Sequence, residues 1–132
     1  MRYKILIIAM FASLMMMNAN ILQAQNNQIK ILKPKVFAMD LIFANQLLNT
    51  IELRGSEVDA LIEVKNVLKP YVEQIQKENI ALNNPVSFDI PAAIASNLLQ
   101  FMERGKITGA DVEKYKRFVD AVILSAKENE GK

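Results

Sequence analysis

The chain contains no cysteine and no histidine. Without cysteine it has no disulfide framework, no thiolate metal site and no residue to carry a bacterial lipid anchor. Without histidine it loses the commonest general base, the Ser-His and Cys-His nucleophile pairs, and most zinc, copper and haem sites. Glycine is also sparse. The four glycines stand at 55, 105, 109 and 131, too scattered for a phosphate-cradling loop. Gly105 and Gly109 enclose Lys106 and Thr108, so their spacing reads as a turn and not as a membrane helix contact. No metal or cofactor is expected.

An excess of positive charge is missing as well, once the first residues are set aside. Arg2 and Lys4 precede an uncharged apolar run from Ile5 to Met17, followed by Asn18, Asn20 and the exit Leu22-Gln23-Ala24. A cationic start, a short apolar stretch and a small residue before the cut form the layout of a secretory signal peptide. The run falls short of the roughly 20 apolar residues a membrane span requires. Cleavage is expected after Ala24, giving residues 1–24 as leader and a mature chain starting at Gln25. Of sixteen Lys and Arg, two leave with the leader, so fourteen cations face fourteen acids. A neutral chain gives no argument for nucleic acid or an anionic membrane. Export without disulfides fits a bacterial periplasm or exterior.

The mature chain of 108 residues suits one domain, able to bury roughly 65% of its unfolded surface. Shifted by 51 residues, it resembles itself: Ala44 falls on Ala95, Leu47-Leu48 on Leu98-Leu99, Glu52 on Glu103 and Lys65 on Lys116. This spacing predicts an internal duplication. Repeat unit one covers 36–78, an Asn-rich linker 79–85, and repeat unit two 86–128, with 25–35 a polar lead-in. Each unit starts with period-two apolarity, Val36–Met39 or Val86–Ile90, which predicts an extended segment. A helix follows, capped by Asp40 in unit one and opened by Pro91 in unit two. Gly55 and Gly105 are expected to end these helices as left-handed residues. Ser56-x-x-Asp59 and Thr108-x-x-Asp111 then read as capping signals for second helices. The second helix of unit two is expected to bury Val112, Tyr115, Val119, Val122, Ile123 and Ala126. Pro70 should kink its counterpart in unit one without ending it. The fold class is therefore mainly α: two similar hairpins forming a four-helix domain, with a small two-stranded ribbon where the extended segments pair.

Carboxylates are the remaining route to chemistry. Glu57-Val58-Asp59 resembles the start of a calcium loop but lacks its later oxygen ligands, and reads as acids in a first helical turn. Glu52 and Glu103 occupy matching places under the 51-residue shift. A pseudo-twofold axis bringing them together would make an acid/base pair or a cation site. The simpler reading pairs each with a nearby Arg or Lys at the surface. Lys30, Lys33 and Lys35 give the lead-in a basic character suited to solvent or to protecting a strand edge. Phe118, between Arg117 and Val119, is expected in the core. The function expected is a non-enzymatic interaction or structural module whose partner is another envelope or secreted protein, or a second copy. The alternatives are a carboxylate site at Glu52 and Glu103, or a protein tethered by an uncleaved leader.

Overall fold

The computed structural model describes residues 28–131; the leader and its cleavage site lie outside them. Among the described residues the chain is mainly helical, with four helices and a small antiparallel ribbon. Strands β1 (Ile31–Leu32) and β2 (Lys35–Phe37) lead into α1 (Ala38–Leu48), a 3-10 turn (Gly55–Glu57) and α2 (Val58–Lys77). Strands β3 (Pro85–Ser87) and β4 (Ile90–Pro91) lead into α3 (Ala92–Glu103), a second 3-10 turn (Gly109–Asp111) and α4 (Val112–Glu130).

The same order of elements thus occurs twice, but not at the expected offset. Ala38, Gly55 and Val58 open their elements in the first half. Ala92, Gly109 and Val112 open the matching ones 54 residues later. Burial follows this spacing too. Val36 and Ile90, Leu41 and Ala95, Ala44 and Leu98, Leu48 and Met102, Val64 and Phe118, and Leu68 and Val122 are all in the core. Of the α4 residues expected inward, Val122 is buried and Tyr115, Val119 and Ala126 are partly buried against the core. Val112 and Ile123 are exposed, while Phe118, Val122 and Ser125 face inward. Phe118 is fully buried and stacked on Phe88, with ring centroids 6.0 Å apart.

The extended segments pair as expected and extend further. Lys35, Val36 and Phe37 lie across from Ser87, Val86 and Pro85, and the same register places Ile31 and Leu32 across from Pro91 and Ile90. One ribbon therefore runs through both strand pairs, interrupted where Pro34 has no N–H to give. Phe88 bridges the gap by donating its N–H to the Pro34 carbonyl at 3.3 Å. Pro34 and Phe88 are themselves 54 residues apart, so the ribbon's centre pairs two positions that correspond at that offset. β1 falls inside the segment read as a polar lead-in, and its Leu32 belongs to the core.

The last rungs of the ribbon cap the helices. The Ala38 N–H donates to the Asn84 carbonyl at 2.9 Å, and the Ala92 N–H donates to the Lys30 carbonyl at 2.8 Å. Each helix start is thereby satisfied by backbone from the other half, in place of a side-chain cap. Asp40 accordingly does not cap α1. It sits in the first turn, with Phe37 at the N-cap, and Pro91 is likewise the N-cap of α3. Gly55 ends no helix but opens a 3-10 turn, and no described glycine has positive φ. The left-handed residue is Asn79, with φ 49°. It ends α2 in a Schellman arrangement in which the Ile80 N–H reaches the Ile75 carbonyl at 3.0 Å. Neither Ser56 nor Thr108 caps a helix through its side chain. Helix α2 continues through Pro70.

The outer edges of the ribbon are closed by helices. Ser125 on α4 accepts the Lys33 N–H at 2.9 Å, and Asn129 donates to the Ile31 carbonyl at 3.2 Å. On the opposite edge the Tyr71 hydroxyl accepts the Asp89 N–H at 3.0 Å. Ser125 and Tyr71 are again 54 residues apart, so each half seals the other's strand edge against further pairing.

Candidate functional site

Between Lys35 and Glu52 the sequence carries one charged residue, Asp40, and its position on α1 turns it inward. Its side chain is 1% exposed. A carboxylate removed from water needs a cation and hydrogen bonds to remain there. Arg117 on α4 supplies both: Nη2 donates to Oδ1 at 2.7 Å and Nε to Oδ2 at 2.9 Å. The two-pronged contact fixes the guanidinium plane as well as its charge. The hydrogen bond to Asp40, with that carboxylate's charge, raises the pKa of Arg117 further above its ordinary value.

So held, the guanidinium lies over the Phe37 ring, 5.6 Å from its centroid. Phe37 is the last residue of β2 on the ribbon's outer face, and it is 40% exposed. Lys35, Val36, Phe37, Asp40, Pro85, Arg117 and Asp120 together line a groove of about 430 Å³. Asp120 is paired with Lys116 at 2.5 Å, whereas Lys35 makes no ion pair among the described residues. The groove therefore offers an apolar floor, a fixed aromatic-arginine stack and a cation on its rim.

Two further grooves occupy equivalent places in the two halves and differ in chemistry. Asn45, Lys69 and Glu73 line the one between α1 and α2. Their counterparts Leu99, Ile123 and Lys127 line the one beside α3 and α4, where Ala92, Ala95 and Ala126 make the walls apolar.

Glu52 and Glu103 are not equivalents in the fold. At the 54-residue offset Glu52 corresponds to Lys106 and Glu103 to Asn49. Glu52 stands in the loop after α1, exposed, lining a small pocket with Thr50, Arg104 and Lys106. Glu103 is the last residue of α3, also exposed, and its charge adds to the burial that raises the pKa of Tyr115. What crosses between the halves here is Arg104, which donates to the Glu52 carbonyl and to Glu57 Oε1, the latter at 2.7 Å. Glu57 also accepts the Arg54 N–H at 2.8 Å. That backbone bond first, and Arg104 second, hold its pKa below the ordinary value.

The sequence pattern predicts Phe37 in a strand and Asp40 at a cap, and does not reveal their meeting with Arg117. Its one local signal was a lone carboxylate within an otherwise uncharged stretch from Val36 to Ile51. Among the described residues no group of three or more acidic side chains gathers as a metal site. No described helix is long and apolar enough to cross a membrane. Comparison with protein-family models, with curated proteins and with solved structures finds no match to this chain.

Proposed function

We propose that the protein is an exported, non-enzymatic module that works by contact with a second protein, using the groove around Phe37 and Arg117. The observation that supports this most is the exposed Phe37 ring held against an arginine that a buried aspartate fixes in place. Aromatic and arginine side chains are the anchors most enriched at protein interfaces, and anchors fixed before binding lose little entropy on docking. The partner is a protein segment presenting an apolar side chain to Phe37 and Pro85 and a carboxylate to Lys35. The absence of His and Cys supports a role without catalysis.

The leader supports export to the periplasm or beyond, and intact mass of the native product tests it: a first residue other than Gln25 contradicts the cleavage. The twofold recurrence of elements at one offset supports an origin by duplication of a strand-strand-helix-turn-helix unit. The contact itself is tested by affinity capture from envelope extracts with three baits. A partner retained by wild type and by Ile62→Ala, exposed in the groove between α1 and α2, should be lost with Phe37→Ala. Capture that is absent, or indifferent to Phe37→Ala, refutes the reading.

A further inference from the structure

The two halves match in their apolar positions, yet their charges at one shared contact do not match. Asp40 on α1 meets Arg117 on α4. At the 54-residue offset the counterpart of Asp40 is Ile94 and the counterpart of Arg117 is Glu63. Where α3 packs on α2, the matching positions hold a half-buried isoleucine and an exposed glutamate, with no ion pair between them. The ribbon is unequal in the same sense. Lys33 forms an ion pair of 3.7 Å across the strands with Asp89, and its counterpart is Ser87.

We propose that Asp40 and Arg117 decide which halves pair, admitting a first half against a second half and excluding the like half of another copy of this chain. This rests on the positional correspondence of the halves and is independent of what the Phe37 groove binds. The helix contacts between halves, α1 with α4 and α2 with α3, are built from apolar stripes that recur in both halves. Apolar burial is nondirectional, so by itself it does not distinguish an unlike half from the like half of another chain. The buried charge does. Two first halves meeting in the same geometry would set Asp40 against Glu63 twice, leaving a carboxylate that is now 1% exposed facing another acid. Their strands, centred on Pro34, would also put Lys33 across from Lys35 twice, with two prolines unable to donate at the middle. Two second halves would set Arg117 against Ile94 and strand the guanidinium without its carboxylate. Only the mixed pairing satisfies both groups, a use of a polar contact to set partner choice by penalising the alternatives.

The competing partner is thus a second copy, met when chains fold together. The leaderless full chain, refolded from urea over a range of concentrations and sized by analytical ultracentrifugation, provides the test. Asp40→Ile with Arg117→Glu makes both positions identical in the two halves. Dimers and larger species should then rise several-fold above the wild-type share and increase with refolding concentration. Ile94→Asp, which leaves Asp40 and Arg117 in place and gives Arg117 a carboxylate partner in another second half, should do the same if the double variant does not fold. Leu68→Ala, which weakens the core without touching these charges, should keep the wild-type distribution. Wild-type sizing of the folded charge variants, or an equal increase in Leu68→Ala, overturns the proposal.

Discussion

Replacing Gly105 with alanine tests how closely the two halves are fitted. A Cβ at that position would lie 2.6 Å from Leu47 Cδ1, 2.7 Å from Cγ and 2.9 Å from Cδ2. Carbon atoms pack without repulsion at about 3.5–4.0 Å, so the branch of Leu47 must retreat by roughly 1 Å. It has little room to do so, because Leu47 is 5% exposed and belongs to the core. Rotation of a terminal methyl alone does not relieve the contact, since Cγ is also too near. Gly105 does not have positive φ, so no backbone penalty is added. Overpacking of this kind costs about 1–3 kcal/mol, and the involvement of Cγ places Gly105→Ala in the upper half of that range. Leu47→Ala alone should cost about 2–5 kcal/mol through lost burial and a cavity. In that background the added methyl enters vacated space, so Gly105→Ala becomes nearly neutral. Urea unfolding of the four proteins gives the cycle directly, provided the m-value is unchanged. A coupling of about 1–3 kcal/mol is expected, and additivity within about 0.5 kcal/mol refutes the close contact.

Other consequences are checked with the same unfolding assay. Asp40→Ala should cost about 3 kcal/mol, the low end for one partner of a buried ion pair, because Arg117 is partly exposed and can turn to water; a loss below about 1 kcal/mol contradicts the account. Ser125→Ala leaves the Lys33 N–H without its acceptor, and should lower stability by about 1 kcal/mol and speed hydrogen exchange at that amide; unchanged exchange tells against the edge contact. Glu57 has a folded-state pKa below its ordinary value of 4.5. Its stabilisation is present above that value and is lost as pH falls through the folded pKa. The urea midpoints of wild type and Glu57→Gln should therefore differ at neutral pH and converge in acid, and a constant gap contradicts the assignment.

The helices were legible because α2 repeats Leu61, Val64, Leu68, Val72 and Ile75 at helical spacing, and each of these is buried. The ribbon was legible for a similar reason, since Val86, Phe88 and Ile90 alternate with polar or exposed neighbours. The offset was harder to read. Two Arg-Gly pairs, Arg54-Gly55 and Arg104-Gly105, and two Leu-Leu pairs align near 51 residues. The fold instead aligns Gly55 with Gly109, because burial and turn position govern equivalence more strongly than a few matching letters. That small difference removed the correspondence between Glu52 and Glu103. Asp40 was misjudged for a different reason. Its partner is 77 residues away on another helix, and its local sequence allowed a cap as readily as an ion pair. The helix begins two residues before Asp40, and its first N–H groups, on Ala38 and Met39, donate to the Asn84 and Leu82 carbonyls.

The central claim is that the halves join through one ribbon centred on Pro34 and Phe88, and the absence of native cysteine makes this accessible to a clean cross-linking measurement. Lys33 and Asp89 face each other in the non-hydrogen-bonded position next to that centre, where α-carbons approach to about 4.5 Å, within disulfide range. K33C/D89C should oxidise to an intramolecular disulfide in the folded chain, detected as a loss of about two hydrogens by intact mass with no change in oligomeric size. K33C/S87C, one diagonal step away at about 7–8 Å, should remain reduced under the same conditions. Cross-linking of the second pair in preference to the first would contradict the register and the relation between the halves built on it.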